Sequence, residues 1–261
     1  MWQGKHVLVL GLGESGLALA RWLAHEGALV RVADSRLQPP GADALRAALP
    51  QVPLATGPFD LGLLDGIDVL AISPGLDPRL PVIAEARARG IPVTGEIQVF
   101  VDALTALGER ARCRLIAITG TNGKTTTTAL TAALCRAAGA DAVEAGNISP
   151  ATLAVLLARL TAGQPLPDCW VLELSSFQLE TVADLSADAA VVLNISDDHL
   201  DRYDSVADYA ATKARIFNGA RVAVANRDDA RVAAMLGDAA GALSVSTSRG
   251  GLPTTASTTA C

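Results

Sequence analysis

The sequence predicts an α/β protein on parallel sheets, from two observations. Short apolar runs alternate with longer stretches of helical period, and two glycine-rich turns each lead from a predicted strand into a predicted helix. The first apolar run, 5–10, ends in a glycine turn. Leu19, Trp22 and Leu23 then fall at i, i+3 and i+4, one face of a helix, and a second strand at 29–33 completes a βαβ unit. Further strands are expected at 68–72 and 91–94, with a helix at 81–89 that opens on Pro81 and closes before Gly90. Gly108, Glu109, Arg110 and Arg112 break the pattern, so a domain boundary is expected within 104–114.

The alternation then restarts with a strand at 115–119, a helix at 125–138, strands at 170–174 and 189–195, a helix at 207–218 and a strand at 221–225. After Ser244 it stops. Eight of the 16 residues from 246 to 261 are Ser or Thr, two are Gly and one is Pro, the composition of a disordered tail. The expected division is a domain of 1–108, a domain of 109–245 and a tail of 246–261. A length of 261 residues suits one to two domains at about 150 residues each.

Composition narrows the partners. The chain is 50% apolar and 18% charged, so it carries enough apolar surface to fold. Its 27 acidic and 21 basic residues leave a net charge of −6 with no basic cluster, which argues against a nucleic-acid partner. The longest charge-free stretch, 145–158, is too short and too polar to cross a bilayer. The opening residues predict no export leader, and hence a cytoplasmic chain. Cys113, Cys135, Cys169 and Cys261 lack the paired spacing of a zinc or redox site and are expected to be reduced, buried thiols.

Two motifs carry chemistry. In Gly11-Leu12-Gly13-Glu14-Ser15-Gly16, the glycines let backbone N–H groups approach a diphosphate at a helix N-terminus, and Asp34, at the end of the next strand, can accept from ribose hydroxyls. A tight βα turn without a ligand is the plainer alternative. Glu14 would set a carboxylate beside the diphosphate and Arg36 follows Asp34 closely, so the motif by itself leaves the ligand class open. The second motif, Gly120-Thr121-Asn122-Gly123-Lys124-Thr125-Thr126, is sharper. Successive amides form an anion nest, Lys124 supplies a charge for the β and γ phosphates, and the Thr125 hydroxyl can ligate Mg²⁺. It is shorter than the general phosphate loop, whose first glycine would fall at Ile118. A lysine beside the positive end of a helix is unfavourable without an anion.

Glu173, near the end of an apolar strand, offers a hard oxygen ligand. The segment Ser196-Asp197-Asp198-His199-Leu200-Asp201-Arg202-Tyr203 gathers acids, His199 and Arg202 in a loop after a strand, where active sites of parallel sheets form. Lys213 reads locally as a solvated helix lysine.

Taken together, GTNGKTT at 120–126, LELSSFQLE at 172–180, NISDDHLDRY at 194–203 and YAATKARIF at 209–217 resemble the Mur ligases, as do GLGESG at 11–16, DSR at 34–36, SPG at 73–75 and GEI at 95–97. The resemblance covers about 3–245. It implies a Rossmann-like domain that binds a UDP-sugar and a central ATP-binding domain. ATP would phosphorylate the carboxylate of UDP-N-acetylmuramoyl-L-alanine, and the amine of D-glutamate would displace phosphate to form an amide.

By matching motif, Gly13, Glu14, Ser15, Asp34, Ser35, Arg36, Ser73, Pro74 and Gly75 would hold the UDP-sugar, with Asn147 and His199 also facing substrate. Thr121, Asn122, Gly123, Lys124, Thr125 and Thr126 would bind ATP. Thr125, Glu173, His199 and Lys213 would serve magnesium, Lys213 as a carbamate, and Lys124, His199 and Lys213 would form the catalytic set. The resemblance reverses the local reading of Lys213, because an ammonium repels a cation whereas a carbamate can ligate one. The family's third, amino-acid-binding domain has no counterpart after 245, so a shortened, non-ligating chain is expected; a non-catalytic nucleotide-binding protein, another carboxylate–amine ligase such as a folylpolyglutamate synthase and an oxidoreductase are the alternatives.

Overall fold

A computed structural model describes residues 1–236 and 242–245, the latter as backbone. The tail expected at 246–261, with Cys261, lies outside the described residues. Two compact units divide the chain: Met1–Leu107 with Ser149–Leu166, and Gly108–Ile148 with the segment from Pro167 onward.

In the first unit, β1 (His6–Leu10), α1 (Glu14–His25), β2 (Leu29–Asp34), α2 (Ala42–Ala48), β3 (Leu54–Thr56), β4 (Val69–Ile72), α3 (Pro81–Ala88), β5 (Val93–Gly95) and α4 (Glu96–Ala106) follow in order. The strands are parallel in the order β3-β2-β1-β4-β5. Four of the five β1 residues are buried, as a strand covered on both faces requires. Helix α1 turns Leu19, Trp22 and Leu23 inward, the face its spacing predicts. The chain winds outward from β1 to β3 and returns to β4, so the C-terminal ends of β1 and β4 flank a topological switch point, where such sheets bind ligands.

In the second unit, β6 (Arg114–Thr119), α5 (Lys124–Ala137) and β7 (Ala142–Gly146) come first. The chain then supplies α6 (Thr152–Thr161), which packs on α1 and α4 of the first unit, although the sequence reading left 149–166 within the second half. It resumes with β8 (Cys169–Glu173), α7 (Ser176–Leu179), β9 (Ala189–Val192), α8 (Val206–Ala214), β10 (Ala223–Asn226), α9 (Ala230–Leu236) and β11 (Ala242–Val245). The parallel order is β11-β10-β9-β6-β8-β7. All five β8 residues are buried, and β6 lies between β8 and β9, so the loops after these three strands share one edge.

The predicted α/β class and parallel sheets are found, and boundaries shift where side chains bond locally. The strand expected at 189–195 ends at Val192 because Asn194 is engaged by the loop after β6. The helix expected at 207–218 tightens after Ala214 into a 3₁₀ turn, Arg215–Phe217. Within the segment expected to hold a boundary, α4 runs to Ala106 and Gly108 takes a left-handed φ of 73°. Arg110 then binds Asp188 at 3.1 Å and the Ser186 carbonyl. Asp188 also accepts from the Leu115 N–H at 2.9 Å and from Arg221 at 3.1 Å. Burial pushes the Asp188 carboxyl up, but the Leu115 N–H and these guanidinium groups leave it below the usual carboxylate range.

Among the described residues no helix is long and apolar enough to cross a membrane. Cys113, Cys135 and Cys169 are free thiols, two of them buried, and burial pushes Cys169 up to about 12, the protonated state of an unreactive core thiol.

Candidate functional site

The first unit holds an open cleft of about 310 Å³ at its switch point, lined by Gly11, Gly13, Asp34, Ser35, Arg36, Ser73, Gly75 and Leu76. Six of these are residues the sequence reading assigned to a UDP-sugar. The turn is close-packed. Gly11 has φ 86°, and a Cβ on Gly16 would sit 1.8 Å from the Gly11 carbonyl oxygen, which is why both positions require glycine.

Asp34 is 2% exposed and braces the cleft from below. Its Oδ2 accepts from the Leu12 N–H and Arg36 Nη2, both at 2.6 Å, and its Oδ1 from the Arg36 N–H at 2.9 Å and Nε at 2.8 Å. All four lone-pair positions are thereby used, so in this state Asp34 orients Arg36 and the turn and has none left for a ribose hydroxyl. Burial raises this carboxyl, but the Arg36 guanidinium and the two N–H groups outweigh it and bring it to about 2. Glu14 does not point its charge into the turn: Oε1 accepts from Ser149 Oγ at 2.7 Å and the Ala151 N–H at 3.0 Å.

Glu96 was not foreseen from sequence. It is 2% exposed; Oε1 accepts from the Thr152 hydroxyl and from the Leu153 N–H at 3.0 Å, while Oε2 is buried without a partner. Burial is the largest influence, and with the nearby Glu14 charge it pushes Glu96 up to about 6 against the pull of its hydrogen bonds. A raised carboxyl keeps its proton in the fold at a pH where the unfolded chain has lost it. Stability from this group is therefore full below the unfolded value of 4.5 and is lost as pH rises through about 6. Glu96→Gln should gain about 2 kcal/mol relative to wild type between about pH 4 and pH 7, measured by chemical denaturation. A pH-independent difference would show that folding leaves the Glu96 carboxyl unshifted.

In the second unit, the loop from Gly120 to Gly123 leads from β6 into α5. Gly123 caps α5 at φ 79° without a side-chain bond, so the amides at the head of the helix stay open to an anion. Asn194, after β9, holds this loop: its Oδ1 accepts the Asn122 N–H at 2.8 Å, its Nδ2 donates to the Asn122 carbonyl at 3.0 Å, and its carbonyl accepts the Thr121 N–H at 2.9 Å. The sequence reading quoted Asn194 inside a motif and gave it no role. Lys124 Nζ folds back on the Gly120 and Thr121 carbonyls, at 3.1 and 3.0 Å. Thr121 Oγ lies 3.2 Å from the Tyr209 hydroxyl.

The structure brings Thr125 and Glu173 together, with Thr125 Oγ donating to Glu173 Oε2 at 2.8 Å. Asn147 is close by, and its Nδ2 donates to Glu173 Oε1 at 2.9 Å and its N–H to the Glu173 carbonyl at 2.8 Å. Lys213 is 2% exposed, not the solvated lysine of the local reading; its Nζ donates to Thr119 Oγ at 3.2 Å and lies over the Tyr209 ring at 4.8 Å. Burial chiefly, then the Lys124 charge, lowers Lys213 to about 7, so much of it is a neutral amine near neutral pH.

His199, exposed and at φ 53°, packs its ring against Phe177 at 4.7 Å and lies 6.0 Å from Tyr209. Its Nε2 is 3.5 Å from Asp198. Among the described residues no three His, Cys, Asp or Glu side chains converge as a metal site. Thr125 and Glu173 nevertheless fit Mg²⁺, which takes oxygen ligands and binds proteins through one or two of them with phosphate supplying others.

Two parallel sheets, each with a glycine turn and an open helix N-terminus at its ligand-binding edge, define a nucleotide-binding α/β protein of two units. Residues 118–254 match the family model of the Mur ligase middle domain, and residues 5–95 that of the Mur ligase MurD-like N-terminal domain. The chain belongs to the Mur ligase family.

It is 65% identical over 232 residues to the UDP-N-acetylmuramoylalanine–D-glutamate ligase of Aromatoleum aromaticum, covering 89% of this chain and 50% of that protein. It is 55% identical over 235 residues to the ligase of the same name from Paraburkholderia xenovorans, covering 88% and 46%. The chain thus spans about half the length of the curated relatives it matches. Among solved structures, UDP-N-acetylmuramate:L-alanyl-gamma-D-glutamyl-meso-diaminopimelate ligase from Neisseria meningitides shares the fold, with TM-score 0.59 and 16% identity over 93% of this chain and 78% of that one.

Proposed function

We propose that this chain supplies the UDP-sugar-binding unit, 1–107 with 149–166, and the ATP-binding unit, 108–148 with the segment from 167 onward, of an ATP-dependent ligase that joins D-glutamate to UDP-N-acetylmuramoyl-L-alanine. The observation that carries the reading is the set Thr125–Glu173–Asn147 at the head of the Lys124 loop, a magnesium–triphosphate arrangement in a chain similar to ligases of that name. Arg36, Ser35 and the turn at Gly13 and Ser15 would hold the diphosphate, with Ser73, Pro74 and Gly75 contributing to the same site. The amides of Thr121 to Thr126 and Lys124 would hold the ATP phosphates.

Thr125 and Glu173 would ligate Mg²⁺, which when bound neutralises phosphate charge. The γ-phosphoryl group moves to the substrate carboxylate as ADP leaves, and the glutamate amine then displaces phosphate. The buried Lys213 amine, whose neutral form burial favours, can add to carbon dioxide and release a proton to water, giving the carbamate that would serve magnesium beside His199. In this reading the protein is a cytoplasmic monomer of peptidoglycan precursor synthesis, and so of cell-wall growth, shape and division, acting without nucleic acid or membrane insertion.

A second reading is a nucleotide-binding protein that does not ligate. Placement of reactants can contribute about 7–11 kcal/mol to catalysis, and D-glutamate has no assigned holder among the described residues. Calorimetric titration with UDP-N-acetylmuramoyl-L-alanine, Mg-ATP and NAD, in isotope-labelled bicarbonate so that NMR reports a carbamate, tests both. Binding of the first two and not NAD is expected; amide formation on adding D-glutamate would select the complete ligase, its absence the non-ligating protein. Binding of NAD alone would overturn both readings.

A further inference from the structure

We propose that Glu14 and Glu96 are positioning residues which together replace the cap that α6 lacks, and that by holding 149–153 they couple sugar-nucleotide binding at the first glycine turn to ATP binding at Lys124. The inference rests on the nucleotide assignments above.

Helix α6 begins after Ala151, which makes no side-chain cap bond. The first amides of a helix have no intrahelical acceptor, and a short polar residue at the cap ordinarily serves them. Here the acceptors come from far along the chain. Glu14 takes the Ser149 hydroxyl at 2.7 Å and the Ala151 N–H at 3.0 Å, and Glu96 takes the Thr152 hydroxyl and the Leu153 N–H at 3.0 Å. Carboxylates are favoured at the positive end of a helix.

More than capping follows from where the two ends of this segment are anchored. Glu14 stands between Gly13, which lines the cleft, and Ser15. A diphosphate bound there repels the Glu14 carboxylate and favours its hold on Ser149 and Ala151. Asn147, two residues before Ser149, donates both its N–H and its Nδ2 to Glu173, whose other oxygen accepts from Thr125. The peptide 147–151 is therefore gripped at one end by a residue of the sugar-nucleotide turn and at the other by a residue of the phosphate loop's magnesium pair. Ordering one end lowers the cost of ordering the other, which gives positive coupling.

The test measures the Kd of Mg-ATP with and without saturating UDP-N-acetylmuramoyl-L-alanine. Wild type should show at least about a five-fold tightening, with the reciprocal shift for the sugar nucleotide. Ser149→Ala and Glu96→Ala should each reduce that ratio below about two-fold, whereas Glu96→Gln, which keeps an acceptor oxygen, should preserve it. A merely structural role would lower stability or both affinities and leave the ratio intact. If Glu96→Ala fails to fold, Ser149→Ala, which deletes a single hydroxyl, decides. A wild-type ratio of one, or an unchanged ratio in the alanine variants, overturns the coupling while leaving the nucleotide assignments standing; failure of wild type to bind either nucleotide overturns both.

Discussion

Lys124→Ala should weaken Mg-ATP binding by at least about 100-fold while leaving the UDP-sugar affinity where it was. The lysine sits at the head of α5, with its ammonium bonded to two carbonyls of its own loop, at 3.1 and 3.0 Å. Those bonds are replaceable by water, so the native fold should survive the substitution. A charged donor on a phosphate contributes about 1.5–3 kcal/mol, and the upper part of that range corresponds to the stated loss. The variant should also relieve the Lys124 charge that helps to lower Lys213. Titration of both nucleotides against wild type and variant checks this; an unaltered Mg-ATP affinity would remove the Lys124 loop from the nucleotide site.

Gly16→Ala should damage the other unit. Its new methyl would lie 1.8 Å from the Gly11 carbonyl oxygen and 2.9 Å from the carbonyl carbon. These are backbone atoms of the turn itself, so no rotamer change relieves the clash, and the turn must open. Overpacking of this kind costs about 3 kcal/mol or more where the neighbour cannot move. Because α1 starts from this turn and Asp34 binds it through the Leu12 N–H, the cleft should lose its shape along with the stability. We expect a lower denaturation midpoint and loss of UDP-sugar binding. A variant with the wild-type midpoint and intact binding would mean that α1 can withdraw from the turn at little cost.

The turn at Gly11 to Gly16 and Asp34 were legible in the sequence because glycine spacing, a strand before and a helix after are all local features, whereas Ser73 entered only through the resemblance. Glu173 was legible too, as an oxygen ligand at the end of an apolar strand, before any family was suggested. Glu96 was not legible. It occurs in a helix whose first turn is an ordinary place for glutamate, and only its burial against Thr152, 56 positions away, sets it apart. Lys213 was misread locally for a similar reason: one turn of helix says nothing about which face is covered, and here Thr119 and Tyr209 cover it. The short strands β3 and β7 escaped notice because three to five residues of weak apolar pattern carry no periodicity to read.

What the sequence determined by itself is the α/β class and the two glycine-rich strand-to-helix turns, since apolar period and glycine conformational freedom act within a few residues of where they are written. What the tertiary structure decided is the company each polar group keeps: Asp34 saturated by Arg36 and Leu12, Asn194 pinning the phosphate loop, α6 taken from the middle of the chain to pack on α1 and α4, and two glutamates placed at its head. Hydrogen bonds and charges act over a few ångströms in space whatever the separation in sequence, so these partnerships exist only once the sheets have formed.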